Sequence, residues 1–309
     1  MTYNFLGNTN LKVSQIGLGT VEIGLPYDIT DKKLPTDKEA DYILKSAVEL
    51  GITYVDTARG YGLAEERIGK SGIGKNPDIV IGTKCAQFLE KGDDPRGQEL
   101  EQLIRQDIAT SLKLLQQDSL QLIQLHGGTK AQIERGELIA IMQKIKGEGT
   151  VQHVGIAVRG EEAALAAINS GSFETIQLAH SVLDQRLVTK VLPLALQKNI
   201  GIINRSVLLK GVLTSKRNAL PDSLAPLKQN ADQAAAIAAR LGTPLPDLAV
   251  KFVLANPAVS TALIGTIKQE HIKNAIKAST TTLSPEILSE LQTLAISNPN
   301  QVDPSHWNQ

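Results

Sequence analysis

The sequence predicts an α/β protein: a closed (β/α)8 barrel of the TIM type, with an N-terminal β-hairpin closing its bottom. Three observations carry this. Eight short β-rich runs alternate with stretches of helical period along all 309 residues. Most of these runs are apolar on both faces, as parallel strands between a helical layer and a packed centre must be. No low-complexity linker divides the chain, so 1–309 reads as one domain.

In order along the chain, residues 3–14 form two short runs joined by Gly-Asn-Thr-Asn, a small hairpin. The barrel spans about 15–280, and its strands are expected at 15–20, 53–58, 79–84, 120–126, 152–158, 175–180, 201–206 and 261–266. Between them lie amphipathic patterns. Ala40, Ile43, Leu44, Ala47 and Val48 share one helical face, as do Leu100, Leu103, Ile104, Ile108, Leu112 and Leu115. Leu138, Ile141, Met142 and Ile145 repeat the pattern. In 186–198 the pattern is weaker, because Pro193 disrupts a helix unless it falls in the first turn. A C-terminal helix and tail complete 281–309. A doubly wound open sheet fits less well: the first βα turn, "GLGTVEIG", lacks the G-x-G-x-x-G spacing and opens no clear helix. Two connections are long, 21–37 and 207–229, and extra length at the C-terminal face of a barrel is where binding is built.

Composition narrows the function. Hydrophobic residues make up 42%, and 32 basic residues balance 32 acidic ones, which gives no electrostatic case for nucleic acid or an anionic membrane. One cysteine, Cys85, leaves no internal disulfide framework and no thiolate metal cluster; no metal is expected. The opening "MTYNFLGNTN" has neither the basic flank nor the apolar run of a signal peptide, and no apolar run reaches the ~18 residues of a membrane span. The expectation is a cytoplasmic globular protein, a monomer or small homo-oligomer.

Four polar residues then draw attention. Asp56 ends the second predicted barrel strand and Tyr61 follows in its loop, between Gly60 and Gly62. Lys84 ends the third strand and His126 the fourth, and in a barrel these ends open onto one face. Singly, each has an ordinary reading: a loop cap, a snorkelling lysine, a core histidine. Together they suit protonation of a carbonyl oxygen. A phenol of pKa about 10 is a poor acid at neutral pH, a lysine ammonium beside it favours the phenolate, and an aspartate keeps that lysine charged. A histidine can hold the carbonyl. Cys85 reads as buried filler.

The same residues resemble the aldo-keto reductases. The resemblance rests on "DTARGYGLAEERIGKS" (56–71), "GTKC" (82–85), "LIQLHGG" (122–128), "IQLAHSVLDQR" (176–186), "GIINRSVLLKGVLTSK" (201–216) and "LIGTIKQEHI" (263–272), in order over nearly the whole chain. It implies an NAD(P)H-dependent carbonyl reductase with a tetrad on Asp56, Tyr61, Lys84 and His126. Tyr61 is then the acid, Lys84 its tuner, Asp56 the lysine's partner and His126 the carbonyl holder. It also implies that Gln177 grips the nicotinamide carboxamide. Ser206, Leu208 and Lys210 belong to the segment around the pyrophosphate, and Gly265, Thr266, Lys268 and His271 to the adenosine phosphate end. The chain departs from the family pattern at three places. Ala157 and Val158 stand where many members have Ser-Asn, and Arg205 replaces the aromatic that stacks on the nicotinamide. His271 and Ala275 replace the usual Arg and Asn of the adenosine site. NADPH is the expected cofactor, with NADH possible, and the partner is a small-molecule carbonyl substrate, reduced or formed.

Two other readings share this barrel. The altered Ala157, Val158 and Arg205 fit a cofactor-binding regulatory or scaffold subunit with little turnover, and Lys84 alone fits a Schiff-base lyase or isomerase. Substrate choice is expected from loop 21–37, the loop after "LIQLHGG" and the tail "DPSHWNQ". Trp307 either folds over the barrel mouth or lies on the surface. Few aromatics are present to line a pocket, which favours a polar substrate such as a sugar.

Overall fold

In the computed structural model, which describes residues 1–27 and 33–307, the chain begins with β1 (Tyr3–Phe5) and β2 (Lys12–Ser14), paired antiparallel. Eight parallel strands follow: β3 (Ile16–Gly19), β4 (Tyr54–Asp56), β5 (Val80–Cys85), β6 (Leu120–His126), β7 (Val151–Ala157), β8 (Thr175–Ala179), β9 (Gly201–Arg205) and β10 (Val259–Gly265). They close in sequence order, with β10 pairing β3. All eight expected strands are present: 120–126 matches outright, four are trimmed by one to three residues, β5 and β7 are displaced by one, and the last is displaced toward the N-terminus. The Asx- and Gly-rich link of the hairpin forms a short 3-10 turn, Gly7–Thr9.

The helices are α1 (Asp37–Glu49), α2 (Ala64–Ser71), α3 (Gly97–Leu115), α4 (Lys130–Glu134), α5 (Glu137–Gly147), α6 (Glu161–Ser170), α7 (Val191–Gln197), α8 (Ala225–Arg240), α9 (Leu245–Leu254), α10 (Gln269–Ala278), α11 (Pro285–Gln292) and α12 (Pro299–Val302). Helix α1 starts at a capping box, in which Thr36 Oγ1 accepts from Glu39 N and Glu39 Oε2 accepts from Thr36 N at 2.7 Å. Its apolar face buries Ala40, Ile43, Leu44 and Ala47 against the barrel, and burying each of Ile43 and Leu44 contributes roughly 1.5–3 kcal/mol. Pro193 is the third residue of α7, inside the first turn, where its missing N–H costs no helical bond.

Alternation along the strands divides the barrel interior into layers. At the bottom, Tyr54, Val80, Leu122, Ile203 and Leu263 point inward and meet Leu6 and Val13 of the hairpin, so the hairpin is a plug. Tyr54 is fully buried and needs room from its neighbours. A Cβ on Gly82 would overlap its hydroxyl, and one on Gly17 would stand 3.0 Å from its ring. Further along the strands, two residues on for Asp56 and Arg205 and four for Lys84 (after Gly82) and His126 (after Gln124), with Gln177 on β8, the inward positions turn polar: the packed bottom gives way to a polar top.

Candidate active site

At the top of β4 and β5, Lys84 Nζ binds Asp56 Oδ1 at 2.6 Å and the Thr57 carbonyl at 2.8 Å, all buried. The second Asp56 oxygen accepts from Gln177 Nε2 at 2.6 Å and lies 3.5 Å from the Tyr54 hydroxyl. The strand ends thus lock a lysine and a glutamine onto one carboxylate. Lys84 Nζ is also 4.9 Å from the centre of the Tyr61 ring. Tyr61 and His126 stand edge to face, with centroids 5.7 Å apart at 83°. The four residues read from the sequence meet at one place.

Tyr61 is carried by a tight turn. Its N–H donates to the Ala58 carbonyl at 2.9 Å, and Arg59 N donates to the Lys84 carbonyl at 2.9 Å. Gly62 has φ +52°, a conformation that suits glycine, and so lets the loop bend there. Gly60 contributes space: its φ is ordinary, and a Cβ would overlap the amide of Gln87. The sequence reading missed Gly24, against whose Cα the Tyr61 carbonyl packs.

Protonation follows from depth as much as from charge. Burial pushes Lys84 toward losing its proton, but Asp56 and Tyr61 outweigh it and hold the ammonium above the ordinary lysine range. A cation held this firmly is a poor Schiff-base nucleophile. Burial raises the Tyr61 phenol above its ordinary value, and the opposing pull of Lys84 only partly offsets this. The expected lowering by Lys84 is present as an influence, but desolvation decides the direction. His126 is pressed down to about 3, by burial first and by the Lys84 charge second, so its imidazole is neutral. Cys85 is buried, and burial raises its thiol too.

The site opens into a cleft of about 1520 Å³. Asp56, Tyr61 and His126 line its floor, with Lys84 beneath. All nine residues expected at the cofactor line the same cleft: Gln177, Arg205, Ser206, Leu208, Lys210, Gly265, Thr266, Lys268 and His271. Ala157 and Val158 form an apolar wall, and the Val158 carbonyl receives Arg205 Nη2 at 3.5 Å. Burial and the charge of Arg159 lower the Arg205 pKa. Thr266 Oγ1 binds His271 Nδ1 at 2.8 Å and accepts from Lys268 N at 3.0 Å. The loop after β9 is strained: Ser206, Leu209 and Lys210 have φ of +64°, +45° and +54°, in a region that bulky residues rarely enter.

Of the segments expected to choose substrate, 28–32 lies outside the described residues, as do the last two of the tail. Tyr27, Glu90, Arg159 and Pro304 line the mouth. Trp307 takes neither expected position. It packs partly against the core, its Nε1–H donating to the Gln301 carbonyl at 3.0 Å, and it is absent from the cleft lining.

A closed parallel barrel with these four residues at its C-terminal rim narrows the possibilities, and comparison with known proteins decides among them. The profile of the Aldo/keto reductase family matches residues 15–296. The chain belongs to the aldo/keto reductase family. The oxidoreductase YqkF of Bacillus subtilis is 29% identical over 89% of this chain and 90% of its own. The L-galactose dehydrogenase of Arabidopsis thaliana is 27% identical over 94% and 92%. Among solved structures, the holo form of aldo-keto reductase AKR11C1 from Bacillus halodurans is 27% identical and covers 99% of both chains at a TM-score of 0.79. This aldo/keto reductase is therefore an oxidoreductase of NAD(P)H-dependent carbonyl chemistry, acting on small molecules. No helix among its described residues is long and apolar enough to cross a membrane.

Proposed function

We propose that this aldo/keto reductase converts a small aldehyde or ketone to the alcohol with NADPH, using Tyr61 as the general acid. The observation that carries the reading is the buried Lys84–Asp56 pair beneath the Tyr61 phenol, with neutral His126 beside it.

The cleft fits a nicotinamide dinucleotide. Gly19 and Gly265 pair across β3 and β10, and a Cβ on Gly19 would meet only the β10 backbone, which leaves room there for a flat group, while the Glu22 carboxylate stands beside Gly265. Gln177 is held on Asp56 through Nε2, so its Oε1 is the atom left to accept from a carboxamide. The strained loop from Ser206 to Gly211 and the N-terminus of α10, which has no side-chain cap, offer backbone donors suited to phosphates. Lys268 and His271 at that helix end favour NADPH, and Arg205 flanks the nicotinamide end. Bound nicotinamide supplies the hydride. The chain's own residues do the rest: His126 orients the carbonyl oxygen, Tyr61 donates its proton to that oxygen, and Lys84, held by Asp56, stabilises the phenolate left behind. The apolar wall of Ala157 and Val158 keeps water from the reacting face.

A hydroxylated substrate fits the charged mouth of the cleft, and the name of the L-galactose dehydrogenase relative agrees. The test is NADPH consumption with a panel of carbonyl compounds including 4-nitrobenzaldehyde. Turnover that depends on Tyr61 supports the reading. Cofactor binding with no turnover on any carbonyl would make the chain a cofactor-binding subunit instead.

A further inference from the structure

Beside the four-residue centre, a chain of charges from three parts of the fold runs from the cleft wall to the buried part of the C-terminal segment. Glu90, in the loop after β5, accepts on Oε1 from Arg159 Nε at 3.1 Å and Nη2 at 2.6 Å. Arg159, just past β7, binds Asp303 of the C-terminal segment through Nη1, which also reaches Ser305 Oγ at 3.2 Å. Asp303 is itself fixed, accepting from Ser305 N at 3.0 Å and Ser305 Oγ at 2.8 Å. The Glu90 backbone is packed onto the turn after β6: a Cβ on Gly127, where φ is +115°, would stand 2.8 Å from Glu90 N.

One Glu90 oxygen is thus committed to Arg159. The other, Oε2, stands 3.5 Å from His126 Nε2. That is beyond a good hydrogen bond, but it sets a carboxylate oxygen where the substrate must come. A carbonyl oxygen held by His126 lies within roughly 3 Å of Nε2, and so beside Glu90 Oε2. A simple aldehyde brings only lone pairs to this place, acceptor facing acceptor. A hydroxyl on the neighbouring carbon brings a donor, and a carboxylate in place of that carbon brings a like charge.

We propose that Glu90 is a specificity-determining residue: its Oε2 accepts a hydrogen bond from a hydroxyl on the carbon next to the reacting carbonyl. The site then selects α-hydroxy aldehydes and ketones over their deoxy counterparts and rejects α-keto acids and glyoxylate. Arg159 and Asp303 hold the carboxylate in place. The inference rests on the carbonyl-reduction reading and deepens it.

The test compares kcat/KM for lactaldehyde with that for propionaldehyde, and adds glyoxylate, in wild type, Glu90→Gln and Glu90→Ala. A ratio taken within one enzyme cancels any loss of folded protein. The wild type is expected to favour lactaldehyde roughly 10- to 100-fold, the range of one charge-assisted hydrogen bond. In Glu90→Ala the ratio is expected to fall close to one, with Glu90→Gln between, and the glyoxylate rate relative to propionaldehyde to rise in both variants. An unchanged ratio in all three enzymes overturns the role of Glu90 and leaves carbonyl reduction standing. A wild type that reduces neither aldehyde overturns both.

Discussion

Lys84 Nζ reaches Asp56 Oδ1 at 2.6 Å from the neighbouring strand, and neither side chain is accessible beyond 4%. A buried ion pair of this kind is costly to break from one side, because the remaining charge has no water to turn to. Asp56→Asn is therefore expected to lower stability by about 3–5 kcal/mol and to abolish turnover. Adding Lys84→Met to that background removes the stranded ammonium and should recover part of the stability with none of the activity. Urea unfolding of wild type and the two variants checks this, and an Asp56→Asn protein as stable as wild type would contradict the buried-pair account.

Tyr61→Phe keeps the ring that packs against His126 and removes only the hydroxyl. The proton donor is lost while the cleft is unchanged, so kcat should fall by roughly 10²–10⁴, the usual worth of a general acid. NADPH affinity, followed by fluorescence, should stay within twofold of wild type. A variant with normal kcat would remove Tyr61 from the chemistry.

The pH dependence follows from burial. Reduction needs a protonated Tyr61, whose pKa is raised, so kcat/KM should stay level through neutrality and decline only above pH ~10. His126 has a folded value of about 3 against an ordinary 6.5, so no inflection is expected near pH 6.5. Between those two values the unfolded chain binds the extra proton, and stability should decrease as pH falls through that window. A pH–rate profile and acid titration of unfolding measure both; a rate inflection near 6.5 would show that His126 titrates in the folded protein as it does unfolded, against the effect of burial.

What the sequence disclosed and what it withheld divide along physical lines. The barrel strands were legible because burial on both faces leaves continuous apolar runs; Asp56, Lys84 and His126 because a polar group ending such a run has no place in a core, and Tyr61 from its place in the loop beside them. Gln177 could be placed at a strand end, but its bond to Asp56 spans 121 positions, and no local pattern encodes it. Glu90, Arg159 and Asp303 sit in irregular segments that carry no period, so their meeting is a property of the closed fold. Ser206 and Lys210 adopt left-handed backbone where sequence rules would ask for glycine. The direction of the Tyr61 shift needed the depth of the phenol, which the neighbouring lysine alone does not supply.

Gly24 gives a test of how the acid is positioned. It lies in the loop after β3 with φ −118°, so its backbone would accept any residue. Its neighbours would not: a Cβ there overlaps the Tyr61 carbonyl oxygen and stands 2.8 Å from Ala64 N at the start of α2. Leu63 N also donates to the Gly24 carbonyl at 3.2 Å, so the two loops are bound together at this point. Gly24→Ala must push the Tyr61 turn outward, at a cost of about 1–3 kcal/mol for the forced repacking. Displacing the phenol by even ~1 Å is expected to lower kcat about 100-fold. Gly147→Ala is the matched control, since the last residue of α5 has open space around its Cα. That change should leave kcat unaltered and raise stability slightly, by about 0.5–1 kcal/mol. Equal kcat in the two variants would show that the Tyr61 turn does not depend on the close approach at Gly24.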